Sequence, residues 1–268
     1  MLKQLFVTLL IILSVSVAYG AEREVIVQIK DPRGDDRGAG DLLYPEHAVY
    51  VPGLFDLLKF ELSQEDGHIC FDFQFATLTN PFGSPEGYFH QRLEVYIRTG
   101  TDLGHREMEF GQHILYTHPD LGWDLRLSLA PFGESRLYQG AEVLASGETL
   151  DCFVLPDEKT IRLKVPSSLL PHPDHAWGYY VLVGAFDGLA KDFWRDLGEG
   201  IWQVKGEGVP VFDLLVPRFS LQGQSQQLGK GILYPVYKRQ FEVIPWFAGG
   251  LALVVVGFFL WRWTLGRT

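Results

Sequence analysis

The side chains best able to do chemistry crowd into one short loop, Asp31-Pro32-Arg33-Gly34-Asp35-Asp36-Arg37-Gly38-Ala39-Gly40-Asp41. Asp31, Asp35, Asp36 and Asp41, with backbone carbonyls around Gly34, Gly38 and Gly40, offer hard oxygen donors of the kind Ca²⁺ gathers six to eight at a time. The spacing does not follow the EF-hand loop. The plainer reading is a turn whose aspartates hydrogen-bond their own backbone, and Arg33 and Arg37 favour it by diluting the field a cation needs. The sequence demands no cofactor, and calcium is the one this loop could take.

A second chemistry is sugar recognition, which needs an aromatic face against the apolar side of a pyranose ring and polar groups for its hydroxyls. Trp194, in the charged and aromatic run Lys191-Asp192-Phe193-Trp194-Arg195-Asp196, and Trp202 are the candidate ligand contacts. Trp123 and Trp177 lie in strand-like runs and are expected in the core. There is no Gly-x-Ser-x-Gly elbow, His-Glu-x-x-His pair, phosphate loop or Gly-x-Gly-x-x-Gly turn, so the chain is read as a binding protein and not an enzyme. His113 with His118, and His172-Pro173-Asp174-His175, lack a third ligand at metal spacing. An unrecognised glycan hydrolase stays open as an alternative, because its two carboxylates leave no motif.

These residues must be positioned mainly by strands. In His68-Ile69-Cys70-Phe71-Asp72-Phe73-Gln74-Phe75 the apolar residues fall on one face and the polar ones on the other, which predicts a half-buried strand. Glu24 to Ile29, Phe55 to Leu62, Leu93 to Ile97, Trp123 to Leu129, Thr160 to Val165 and Trp177 to Val183 repeat the type, many of them separated by Gly, Pro or Asp. Helical turns are expected only at Pro166 to Leu170 and near Asp187 to Leu197. The fold class is therefore all-β, an antiparallel β-sandwich ectodomain over residues 21–242. Whether Cys70 and Cys152 form a disulfide depends on which strands pair.

The two ends carry a different signal. Residues 1–20 combine Lys3, the apolar run Leu5 to Val17 and Ala18-Tyr19-Gly20, the pattern of a cleaved secretory signal peptide. Residues 243–261 are uncharged and as a helix would reach about 28 Å, enough for one C-terminal transmembrane helix, leaving 262–268 as a cytoplasmic tail. A processed sorting signal is the alternative for that segment. The expected location is the cell membrane, single-pass, with the large domain outside the cytoplasm. The formal charge is −10, and no acidic residue lies in either end, so the exported part is more acidic still. Nucleic acid is excluded as the main partner, since phosphate binding needs a basic surface.

With these residues in view, the sequence resembles a known family. Asp31 to Gly40, Tyr44-Pro45 and Val51-Pro52-Gly53-Leu54-Phe55-Asp56-Leu57 are similar to the opening of the C-terminal module of glucodextranase, also described as a glucodextranase-like DOMON domain. Gly122-Trp123-Asp124, Lys164 to Leu170, Trp177-Gly178-Tyr179, Phe212 to Pro217 and Gln224 continue the likeness, which spans roughly Val25 to Tyr237. The resemblance implies a two-sheet sandwich that binds carbohydrate or a cell-envelope glycan without catalysis. An extracytoplasmic scaffold that assembles partners at the membrane is the alternative from a different class. Related DOMON domains hold haem through Met and His, which would fall here to Met108 and a histidine; Cys-x-x-Cys-His is missing.

Overall fold

The computed structural model describes residues 23–100 and 104–238. Within them the chain runs through β1 (Glu24–Lys30), β2 (Leu57–Glu65), β3 (His68–Phe75), β4 (Gln91–Arg98), β5 (Glu107–Phe110), β6 (His113–Thr117) and β7 (Leu125–Leu129). It continues through β8 (Arg136–Gln139), β9 (Glu142–Ser146), β10 (Asp151–Val154), β11 (Thr160–Pro166), β12 (Gly178–Ala185) and β13 (Asp213–Leu214). The helix α1 (Gln224–Lys230) and the short strands β14 (Ile232–Leu233) and β15 (Val236–Tyr237) complete it. The expected signal peptide 1–20, membrane span 243–261 and tail 262–268 lie outside the described residues. Among the described residues no helix is long and apolar enough to cross a membrane.

Two antiparallel sheets make the body, in the orders β1-β2-β3-β11-β10 and β13-β12-β4-β7-β8-β9, with β15 also paired to β12. The alternation read in His68–Phe75 is what joins them. Phe71 and Phe73 from β3, Phe60 and Leu62 from β2 and Ile161 and Leu163 from β11 share one buried cluster with Leu93, Val95 and Ile97 of β4 and Val181 and Val183 of β12. Burying such side chains contributes roughly 1.5–3 kcal/mol each, and their period of two keeps the register from slipping.

The expectation that His68–Phe75 is half-buried is corrected, since Cys70 and Asp72 on its polar face are also buried. The centre of the second sheet is likewise buried on both faces. Every residue of β12 and all but the last of β4 is buried, because the opposite face of that sheet is covered too. Tyr96, Tyr180 and Leu182 pack there against Met108, Phe110 and Leu115 of the small sheet β14-β6-β5 and Leu228 of α1. Helix α1 escapes the sequence because it has only one buried apolar side chain, Leu228, beside buried Gln224 and Gln227, and so no apolar stripe. It stops at Gly231, whose φ of 67° lets its N–H reach the Gln227 and Leu228 carbonyls.

Cys70 and Cys152 are free thiols. Cys70 faces Lys164 across one edge of β11 and Cys152 faces Leu163 across the other, so a whole strand separates them and they fall on opposite faces of the sheet. Two strand spacings of about 4.8 Å exceed the span of a disulfide.

Candidate functional site

Three features could bind a ligand, and the fold builds each differently. The first is a cleft of about 540 Å³ between the edge of the small sheet and the β7–β8 hairpin. Its buried floor is Tyr96 and Trp123, and both rings also hold the neighbouring strand in place. The Tyr96 hydroxyl donates to the Glu109 carbonyl at 2.6 Å, and the Trp123 indole N–H donates to the Glu107 carbonyl at 2.8 Å. With the β5 backbone tied down, the exposed residues His105, Arg106, Glu107 and Glu109 line one wall.

The opposite wall carries Arg126 and Tyr138. The Arg126 guanidinium lies between two rings, 5.6 Å from the Tyr96 centroid and 5.1 Å from that of Tyr138. Its direction is set from beneath by Glu94, which is fully buried and accepts from Arg126 Nε and Nη2, each at 2.7 Å, and from Arg92 Nη2 at 2.6 Å. Burial alone would raise the Glu94 pKa. The two guanidinium groups win and hold it below the usual carboxylate range.

The second feature is an aromatic surface at the loop end of the sandwich, where the two candidate tryptophans separate. Trp202 is half-buried, stacked on His47 with centroids 3.8 Å apart, and Phe82 lies 6.3 Å away. Phe82 and Phe132 are about half exposed, at 50% and 46%. Phe132 sits at a φ of 64°, which strains a non-glycine residue, and the Glu86 carboxylate holds that turn by accepting from the Phe132 and Gly133 N–H groups at 3.0 and 2.6 Å.

Trp194 does not share this surface. Its exposure is 2%, its indole N–H donates to the Pro210 carbonyl at 3.1 Å, and Arg92 lies over its ring at 5.7 Å. Gly184 of β12 makes the room, since a Cβ there would come within 2.1 Å of the Trp194 ring. A ring enclosed in this way has no free face for a sugar, so the expectation of ligand contact at Trp194 is corrected. Its charged neighbours in sequence suggested a surface loop, yet Arg92 and the Trp194 ring are stacked together in the interior.

The third feature is acidic. Of the four loop aspartates, Asp31 and Asp35 converge, and the third member comes from β13: ligand oxygens of Asp31, Asp35 and Asp213 all lie within 4.8 Å of one another. Asp36 instead accepts the Tyr44 hydroxyl, and Asp41 is exposed. Asp31 Oδ1 accepts from the Val216 N–H at 2.8 Å and Asp213 Oδ2 from the Leu57 N–H at 2.7 Å. Asp31 Oδ2, Asp35 Oδ1 and Asp213 Oδ1 are buried without a hydrogen-bond partner. Burial, then the charges of Asp213 and Asp35, push Asp31 well above the ordinary carboxylate range, and burial pushes Asp35 up to about 6.

A family model described as the C-terminal binding module, SLH-like, of glucodextranase matches residues 26–233. The chain belongs to the glucodextranase C-terminal binding-module family. No curated protein matches it at the sequence level. The matched span takes in the cleft, the aromatic end and the acidic cluster, and the family is one of binding modules, not catalytic domains. Met108, the thioether weighed for haem, is fully buried in the outer cluster. The wall residues Glu107 and Glu109 carry a readable signal, the alternation Glu-Met-Glu-Phe, but over four residues only. Asp213 is signalled more strongly, as a carboxylate set within Val211-Phe212-Asp213-Leu214-Leu215-Val216, where burial is costly unless something answers the charge.

Proposed function

We propose that this chain is a non-catalytic glycan-binding module, held at the outer face of a membrane by its C-terminal segment, with the sugar seated in the cleft between β5 and β8. The observation that carries the reading is that one cleft sets a partly exposed tyrosine ring, Tyr138, beside carboxylate, guanidinium and imidazole groups on fixed strands. Aromatic faces and convergent polar groups are what a pyranose needs, and the volume falls within the usual range for small-ligand sites. Membership of a binding-module family supports the same conclusion.

The test is binding of the detergent-solubilised full-length chain to an array of neutral oligosaccharides. Tyr138→Ala and Glu107→Gln are expected to weaken binding at least tenfold, with the melting temperature nearly unchanged for Glu107→Gln. No binding to any glycan would overturn the reading, and loss on Trp202→Ala with Tyr138→Ala intact would overturn the assignment to this cleft. The anchor is tested separately. Full-length protein is expected to stay in the membrane fraction after an alkaline carbonate wash, and its release as an intact chain would refute the anchor.

A further inference from the structure

We propose that Asp31, Asp35 and Asp213 form a Ca²⁺ site that staples the edges of the two sheets together. Three carboxylates from two distant parts of the chain each bring an oxygen within 4.8 Å of the others, and each of the three carries a buried oxygen with no hydrogen-bond partner. Asp213 is 0% exposed; its Oδ2 accepts the Leu57 N–H, and its Oδ1 is buried with no hydrogen-bond partner. Unanswered buried carboxylate oxygens carry the full cost of their lost hydration, which a bound cation removes.

The donor set selects the ion. All three ligands are hard oxygens, with no thiolate or imidazole among them, which suits Ca²⁺ and Mg²⁺ over zinc or copper. Oxygens at the 2.3–2.6 Å typical of Ca²⁺ can stand about 5 Å apart across the ion, so the observed spread needs little contraction; the 2.0–2.1 Å shell of Mg²⁺ needs more. Water and the second oxygens of the carboxylates would complete the shell.

The placement gives the ion a structural role. Asp31 follows β1, the edge of the first sheet, and Asp213 opens β13, the edge of the second. The same seam is already closed by the Gly38 N–H donating to the Phe212 carbonyl at 2.7 Å, and by Gln224 Nε2 donating to the Gly38 carbonyl at 3.1 Å. A Cβ at Gly38 would lie 2.7 Å from the Val211 carbonyl, so the loop passes β13 too closely for any side chain there.

The experiment is calorimetric titration of chelator-treated full-length protein with CaCl2, paired with melting curves in CaCl2 and in EGTA. One equivalent of calcium and a higher melting temperature in CaCl2 are expected. Asp35→Asn leaves the bonds to Val216 and Leu57 in place and is expected to weaken calcium binding about 100-fold, whereas exposed Asp41→Asn leaves it unchanged. Superimposable wild-type melting curves in the two conditions would overturn the site, as would undiminished affinity in Asp35→Asn. Tighter binding of MgCl2 would overturn the assignment to calcium. Should Asp35→Asn lose its native circular dichroism, the wild-type pair of melting curves decides alone. Glycan binding is not measured in any arm, so failure here leaves the cleft reading untouched.

Discussion

Replacing Glu94 by Gln removes the charge that organises both the interior of the second sheet and one wall of the cleft. In the native protein this fully buried carboxylate answers two guanidinium groups through three contacts of 2.6–2.7 Å. The losses are unequal. Arg92 keeps the Ser128 hydroxyl at 2.7 Å and the carbonyls of Leu93, Leu129 and Asp192, whereas Arg126 is left between the Tyr96 and Tyr138 rings with no carboxylate. Breaking a buried pair by removing one partner costs about 3–5 kcal/mol. With a urea slope of about 3 kcal/mol/M, the unfolding midpoint should fall by about 1–1.7 M. The assay is urea unfolding of wild type and Glu94→Gln followed by tryptophan fluorescence. Because the folded Glu94 pKa is depressed, its contribution is present above the unfolded value near 4.5 and is lost as pH falls through the folded one, so the gap between the two proteins should narrow in acid. Adding Arg126→Met removes the orphaned cation and should recover part of the loss. A midpoint shift below about 0.3 M, or a double variant no more stable than Glu94→Gln, would refute the reasoning.

Two further predictions follow from buried groups away from the cleft. Gly184→Ala drives a methyl to within 2.1 Å of the Trp194 ring and should cost about 3 kcal/mol, lowering the melting temperature by about 6–12 °C; an unchanged melting temperature would mean that the Trp194 pocket is loose. His90 is 1% exposed, both its ring nitrogens lack partners, and burial followed by the charge of Arg195 lowers its pKa to about 4. The unfolded chain takes up that proton near pH 6.5 and the folded chain not until about 4, so His90 should withdraw about 3 kcal/mol of stability as pH falls through that window. Urea midpoints of wild type and His90→Phe between pH 7 and 4.5 measure it, and parallel pH profiles would refute it.

What the sequence shows and what it hides follow from the same physics. Alternating side-chain chemistry advertises a strand, which is why His68–Phe75 is read with its bounds intact and the sandwich core is visible in advance, although the polar face of that strand is buried as well, with Cys70 and Asp72 at 0% and 3% exposure. In β4 and β12 the buried residues do not alternate apolar with polar throughout, and nothing in either strand reveals that the small sheet and α1 lie over them. The sites divide in the same way. Asp31 and Asp35 stand out because they are close in sequence, but closeness in sequence also draws in Asp36 and Asp41, whose side chains go to Tyr44 and to solvent. The residue that completes the cluster, Asp213, is brought in by the meeting of two sheet edges, which no local pattern encodes. Trp194 inverts the lesson. Its charged neighbours look like a surface loop, yet Arg92 reaches it through the fold and a glycine on β12 leaves it a berth. The cleft is the hardest case, because its walls come from two short strands and its shape depends on a buried carboxylate on a third. A site of this kind becomes legible when a buried charge is treated as a question: Glu94 in β4 and Asp213 in β13 each need an answering group, and following each to what answers it leads to the cleft in one case and to the seam in the other.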